Sequence, residues 1–253
     1  MITVKDIVDF VNTLAPFDTK AEWDNCGLLV GDASQTVKKV GFCLDLTAQT
    51  LREARENGVD LIVTHHPVIF KAQKSFLSGS LVFELAKSGI SAVCAHTCYD
   101  MAQGGVNDVL AEILGLRDVE PLSDGECVKP LLRIGNIEET DGESFAKYVA
   151  KKLHATVGLC DSGKKISKVA VCSGAGGDLW ECAYQADADA FVTGEARHNE
   201  MLDAVKAGIT MITAGHFETE NPAMPALMKR VAQQFPNIET LILKQDSPVK
   251  YTD

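Results

Sequence analysis

Residues 39–64 read "KVGFCLDLTAQTLREARENGVDLIVT", and they lie without a gap on residues 168–193, "KVAVCSGAGGDLWECAYQADADAFVT". Both stretches open K-V-x-x-C and close D-x-x-V-T. Farther on, "KSGISAVCA" at 87–95 matches "KAGITMITA" at 206–214, with a loop ten residues shorter before the second copy. Agreement in order, spacing and residue type points to a duplication. Each copy reads as strand, amphipathic helix, strand, helix, strand, because short β-rich runs such as "DLIVT" alternate with helical patterns such as "LREAREN". A further helix precedes each copy, "VKDIVDFVNTLA" and "ESFAKYVAKKLH", followed by "CGLLVGD" and "TVGLCD". The expected fold class is α/β, built from two similar α/β units. The first spans residues 1–125 and the second 126–253, with the boundary in the Pro-, Gly- and acid-containing "EPLSDGECVKP" at 120–130. The terminal "NIETLILKQ" at 237–245 reads as one more strand, free to join either sheet, a return to the first unit included.

The chain has 253 residues, 46% of them hydrophobic, and no apolar run nears the roughly 20 residues that span a bilayer. The N-terminal "MITVKDIVDF" reads as an amphipathic helix rather than a secretion signal, so a soluble, cytoplasmic protein is expected. A formal net charge of −11 disfavours direct nucleic-acid binding, which draws its affinity from lysines and arginines neutralising phosphates. The short basic cluster "KYVAKKL" is explained by a solvated helix face. Eight cysteines without a CxxC pair read as mostly reduced thiols, not as a four-thiolate zinc site.

Ligands of α/β sheets bind beyond the carboxyl ends of the strands. Five of the six histidines fall at or just after those ends. After "DLIVT" come His65 and His66, where the second copy has Gly194 and Glu195; after "SAVCA" come His96 and Asp100; after "TMITA" come His216 and Glu220. Adjacent residues of a regular strand point to opposite faces, so His65 and His66 are crowded for one metal and better suited to two. His216 and Glu220, at i and i+4, share one helix face if a helix starts there. Imidazoles and carboxylates together suit zinc, iron, manganese or nickel, and a bridging carboxylate holds two ions about 3.5–4 Å apart.

The combination "EWDNCGLLVGD", "THHPVIF", "AHTCYD" with "GGVND", "TGEARH" and "GHFETE", in that order along nearly the entire chain, resembles the NIF3-like family, the GTP cyclohydrolase 1 type 2 homologues. The resemblance implies a duplicated α/β fold, two divalent metal ions per chain between the halves, and a homohexameric ring. It places the metal ligands on His65, His66, Asp100, His216 and Glu220. Glu220 would bridge, with His66 and Asp100 on one ion and His65 and His216 on the other. Thr64, His96, Glu195 and His198 are candidates for orienting the ligands or touching substrate, since metal-bound histidines need outer partners.

Family members often carry "HTNLD" where this chain has "HTCYD". On a continuing strand Cys98 would face the site with His96 and Asp100; the alternative is a small buried filler. "CSGAGGD" at 172–178 lies between a strand and a helix, where backbone amides can cradle a phosphate, but it lacks the GK[ST] of a P-loop and reads better as a plain glycine turn. "WDNCGLLVGD" reads as a turn and strand with Trp23 in the core and no chemistry of its own. Two functions follow. The first is a metal-dependent hydrolase acting on a nucleotide-like or phosphorylated small molecule through a metal-bound hydroxide, the GTP cyclohydrolase kind being implied by the resemblance. The second is a non-catalytic regulatory or scaffold assembly in which the metals organise a cavity for a ligand or a protein.

Overall fold

In the computed structural model, which describes residues 1–122 and 130–252, the chain forms two compact units. The first comprises Met1–Gly105 with Ala223–Asp246, the second Val106–Pro222 with Ser247–Asp253. The boundary expected at 125/126 itself lies outside the described residues.

Helix α1 (Val4–Leu14) begins at a capping box in which Thr3 and Asp6 satisfy each other's backbone amides, and it buries Val4, Ile7 and Val11 at helical spacing. Strand β1 (Gly27–Val30) precedes β2 (Lys39–Cys43), α2 (Ala48–Glu56), β3 (Leu61–Thr64), α3 (Leu81–Lys87), β4 (Ser91–Cys94) and the single-turn α4 (Thr97–Met101). The chain then passes into the second unit. Its elements are α5 (Val106–Ile113), β5 (Arg117–Leu122), β6 (Leu132–Thr140), α6 (Gly142–Leu153), β7 (Gly158–Cys160), β8 (Ile166–Cys172), α7 (Trp180–Gln185), β9 (Ala190–Thr193), α8 (His198–Ala207), β10 (Thr210–Thr213) and α9 (His216–Glu220). Helix α10 (Ala223–Gln234) and strand β11 (Glu239–Ile242) return to the first unit.

The first sheet has the order β1-β4-β3-β2-β11, the second β7-β10-β9-β8-β6-β5 when read from the matching edge. In each, three central strands are parallel and one antiparallel strand closes the edge beside the third. The registers coincide with the sequence repeat: Val40 faces Leu61 and Cys43 faces Thr64, as Val169 faces Ala190 and Cys172 faces Thr193. One acid marks the same place in both copies. The Asp60 carboxylate accepts the Lys38 and Lys39 amides, and the Asp189 carboxylate accepts those of Ser167 and Lys168. The duplication therefore extends to hydrogen bonds at strand starts.

Strands "LIVT" and "AFVT" are buried throughout, as parallel strands covered on both faces must be. In the second unit Val169, Val171, Ala190 and Val192 face α5 and α6, while Ala170, Cys172 and Phe191 face α7 and α8. In the first, Cys43, Ile62 and Ala92 pack with Leu51 and Ala54 of α2 and Leu85 of α3. Helices α1 and α10 meet through an edge-on pair of rings, Phe10 and Phe235, 5.6 Å between centroids.

Strand β11 settles the place of the C-terminal run: it extends the first sheet, parallel to β2, with Leu241 opposite Gly41. Leu243 just beyond it is buried in the core of that unit and lies where a side chain on Gly41 would have to go. Trp23 is not in the core as expected but 62% exposed, because the neighbouring Asp24 is the residue that turns inward. Of the described cysteines, six are free thiols and Cys182 is disulfide-bonded. Truncating Leu243 to Ala is expected to destabilise the protein by about 3 kcal/mol, measured by chemical denaturation, as for other large-to-small changes in a packed core; unchanged stability would show that the C-terminal strand is not integral to this core.

Candidate metal centre

Because β2, β3 and β4 are parallel and in register, the residues just after them gather at one end of the first sheet. The ladder continues past the strands: the His65 amide donates to the Cys43 carbonyl (3.3 Å), the His66 amide to Leu44 (3.0 Å), and the Ala95 amide to Thr64 (3.1 Å). The rings of His65 and His66 do not splay apart. Their centroids stand 5.1 Å from each other, and 5.1 and 5.4 Å from that of His96. One ring nitrogen from each of the three lies within 4.8 Å of the others, a spacing that can hold a metal ion.

Each of these rings has its Nδ1 on an acceptor. His65 Nδ1 meets the Ala95 carbonyl at 3.0 Å, His66 Nδ1 meets Asp45 Oδ1 at 2.6 Å, and His96 Nδ1 meets Asp24 Oδ1 at 2.8 Å. A carbonyl or an ionised carboxylate only accepts, so each ring donates from Nδ1, the hydrogen bond that makes Nε2 the ligating nitrogen when a histidine holds a metal. Asp100, on α4 and largely buried, brings Oδ1 to 3.4 Å from His65 Nε2. Thr64 is fully buried at the end of β3.

In the second unit α9 begins at His216, so His216 and Glu220 stand one turn apart as expected. Nε2 and Oε2 are 3.1 Å apart, while His216 Nδ1 faces Glu195 Oε1 at 3.2 Å. The helix stops before Pro222, which joins it to α10. The "CSGAGGD" turn packs against this pair. Gly174, at φ +62°, lies so close that a Cβ there would fall 2.1 Å from Glu220 Oε1, while its amide donates to Thr219 Oγ1 at 3.0 Å. Gly194, the counterpart of His65, has the same reason to be glycine: an added Cβ would meet the Gly174 carbonyl at 2.5 Å and the His216 backbone at 2.9 Å. His198 is exposed at the start of α8 and joins none of the ligand clusters among the described residues.

Sequence reasoning missed Asp24 and Asp45. Asp24 accepts from the Thr97 amide (3.1 Å) and hydroxyl (2.6 Å) as well as facing His96, so it caps α4 from a distant turn. Burial works against its charge, but hydrogen bonds from His96, Thr97 and the Asn25 amide outweigh burial and hold the carboxyl well below the usual carboxylate range. Asp45 receives the Gln245 side-chain amide, and Gln245 Oε1 accepts the Asp45 backbone amide at 2.9 Å. The register could have revealed Asp45, since Cys43 faces Thr64 and two further residues on each strand bring Asp45 beside His66.

Cys98 agrees with the reading of a small buried filler and not with that of a residue on a continuing strand. The strand ends at Cys94, so strand alternation does not reach Cys98; it lies in α4, fully buried, with its Sγ 3.5 Å from Cys26 Sγ. Hydrogen bonds from Cys94 and Cys98 lower the Cys26 thiol below its ordinary range despite burial, whereas Cys98 is pushed up by its contact with Cys26 and by burial.

This arrangement has relatives. The family model described as Duf34/NIF3 (NGG1p interacting factor 3) matches residues 2–248. The chain belongs to the Duf34/NIF3 family. Among its relatives, a protein of Campylobacter jejuni named "GTP cyclohydrolase 1 type 2 homolog" is 32% identical over 98% of this chain and 99% of its own length. One of Clostridium perfringens with the same name is 29% identical over 96% of each. The crystal structure of Staphylococcus aureus SA1388 superposes with a TM-score of 0.92 at 25% identity, covering 99% of both chains. Reduced HcgD from Methanocaldococcus jannaschii gives 0.83 at 28% identity over 96% of this chain and 98% of its own. No helix among the described residues is long and apolar enough to cross a membrane.

Two outcomes are expected. Asp24→Ala should cost about 3 kcal/mol at neutral pH, the range for losing hydrogen bonds to a buried charge. A depressed carboxyl contributes stability that is complete above the unfolded value of about 3.9 and lost as pH falls through the folded value, so the gap between wild type and variant should narrow below about pH 4. Denaturation curves across pH test both; a gap that persists unchanged into acid would show that the charge of Asp24 is not what stabilises the turn. Gly174→Ala should lower the metal content measured by elemental analysis, because the added methyl displaces the Glu220 carboxylate; full metal content would remove Glu220 from the ligand set or show that it can yield.

Proposed function

We propose that this chain is a dinuclear metal protein, holding two divalent ions on His65, His66, Asp100, His216 and Glu220, and that it is a hydrolase of nucleotide-like or phosphorylated small molecules. The observation that supports this reading best is how the proposed ligands are held: His65, His66 and His216 each have Nδ1 on an oxygen acceptor, while Nε2 of His65 stands 3.4 Å from Asp100 Oδ1 and Nε2 of His216 stands 3.1 Å from Glu220 Oε2. Three imidazoles with carboxylates are a donor set for zinc, iron, manganese or nickel. Divalent ions on such ligands acidify water near neutral pH and offset negative charge that develops on the substrate.

The chain's own residues have separate tasks. Asp45, Asp24 and the Ala95 carbonyl fix ring orientation; Glu195 does the same for His216 and, being exposed, is also placed to accept a proton from solvent. No serine or cysteine nucleophile is needed. The relatives' name supports ring-opening of a purine nucleotide as the first reaction to try, with phosphoester hydrolysis beside it. We further propose a homohexameric ring in the cytoplasm, the ring being what the resemblance implies.

The decisive measurement is elemental analysis of purified protein with an activity screen of the metal-loaded form on GTP and phosphoesters, and sedimentation for the assembly. Glu220→Ala should lose at least one ion per chain and the hydrolytic activity together. Wild type that takes up no metal would sink the assignment, and activity that survives Glu220→Ala would point to another centre.

A further inference from the structure

The histidine cluster of the first unit has an aromatic neighbour that the proposed hydrolysis does not use. Trp23 is 62% exposed and Phe70 48% exposed, yet their rings lie 5.7 Å apart, tilted by 47°. Both also approach His96, Trp23 at 5.9 Å and Phe70 at 6.3 Å between centroids, each ring edge-on. Exposed apolar side chains that touch one another, unlike ones scattered singly, mark interaction sites.

The pair is held in place. Asn25 Nδ2 donates to the Ile69 carbonyl at 2.8 Å, tying the turn that carries Trp23 to the loop that carries Phe70. On one side of Asn25, Asp24 is anchored to His96 and Thr97, which fixes the turn from inside while the adjacent Trp23 faces out. The two rings thus form a ledge at the rim of the His65, His66 and His96 cluster. A molecule held at that cluster and long enough to extend past His96 meets the ledge. A flat heteroaromatic ring gains there by stacking, because every base has a π-face; a phosphate or a small sugar phosphate gains little.

We infer that Trp23 and Phe70 are the binding surface for the planar ring of the substrate, which makes that substrate a nucleobase-like compound and not a simple sugar phosphate. This rests on the reading that the cluster serves a small-molecule hydrolase.

The test is calorimetric titration of the metal-loaded, full-length protein with guanosine 5′-monophosphate, guanosine and ribose 5-phosphate, on wild type, Trp23→Ala and Trp23→Phe. Wild type should bind guanosine 5′-monophosphate more tightly than ribose 5-phosphate. Trp23→Ala should weaken the nucleotide and the nucleoside roughly tenfold, in the range of one lost base–aromatic stack, with unchanged metal content and unchanged ribose 5-phosphate affinity. Trp23→Phe should recover most of the loss, which a merely structural tryptophan would not predict. In a Trp180→Phe background Trp23 is the one tryptophan left, and guanosine should quench its fluorescence. Nucleotide affinity that survives Trp23→Ala overturns the ledge while leaving the hydrolase reading intact. Equal losses for all three compounds, or a change of oligomeric state with no effect on ligands, also overturn it, the latter making the pair a contact between copies. Failure of every compound to bind metal-loaded wild type overturns the ledge and the nucleotide reading together.

Discussion

Everything at the candidate centre depends on three short strands being parallel and level. A parallel ladder lets neighbouring strands finish side by side, so whatever follows each strand must occupy the same small region. Here the ladder of β2, β3 and β4 runs on for another residue or two through the amides of His65, His66 and Ala95. That continuation removes the freedom these residues would have in a loop. It also accounts for His65 and His66 standing together: beyond Thr64 the pleat no longer dictates opposite faces, and the acceptors waiting at Ala95 and Asp45 decide where the rings point. The same ladder in the second unit runs on through the amides of Ala214, to the Thr193 carbonyl, and Gly215, to the Gly194 carbonyl, and delivers α9 at a fixed level.

Burying polar groups costs free energy unless each finds a partner, and a coordinating histidine needs one nitrogen anchored and the other presented. The molecule meets both requirements with the same hydrogen bonds. Asp24 is the fullest example, since one carboxylate orients His96, starts α4 and receives the Cys26 thiol. Asp45 orients His66 and is itself held by Gln245, so the last residues of the first unit stiffen a group some 200 positions earlier in the chain. Anchors of this kind make a site rigid before any ion arrives, and the geometry is then set by the protein rather than by the ligand.

Much of this was legible in the sequence, for a physical reason. Duplication leaves a repeat that is visible without structure, and parallel strands guarantee that strand-end residues meet, so His65, His66, His96 and Asp100 could be grouped from spacing alone. Helix α9 was equally readable, because His216 and Glu220 depend only on local periodicity. What escaped were contacts that neither periodicity nor repetition encodes. Asp24 and Gln245 act from a turn and a tail, and their partners lie 72 and 200 residues away. Trp23 looked like core because it is large and apolar, but the inward position in that turn belongs to the residue beside it. Cys98 is the buried filler that its size suggested, because the strand that alternation would need gives way to a helical turn after Cys94.

The chain does not finish one unit before starting the next. It leaves the first after Gly105, completes nearly all of the second, and comes back at Ala223 to add α10 and β11. During synthesis, the first sheet therefore waits with the edge of β2 open and Gly41 uncovered until β11 emerges, whereas the second sheet has its whole complement once β10 is made. The order of maturation is the reverse of the order of translation. A nascent chain halted anywhere before residue 239 carries the three clustered histidines on a sheet whose β2 edge is still bare.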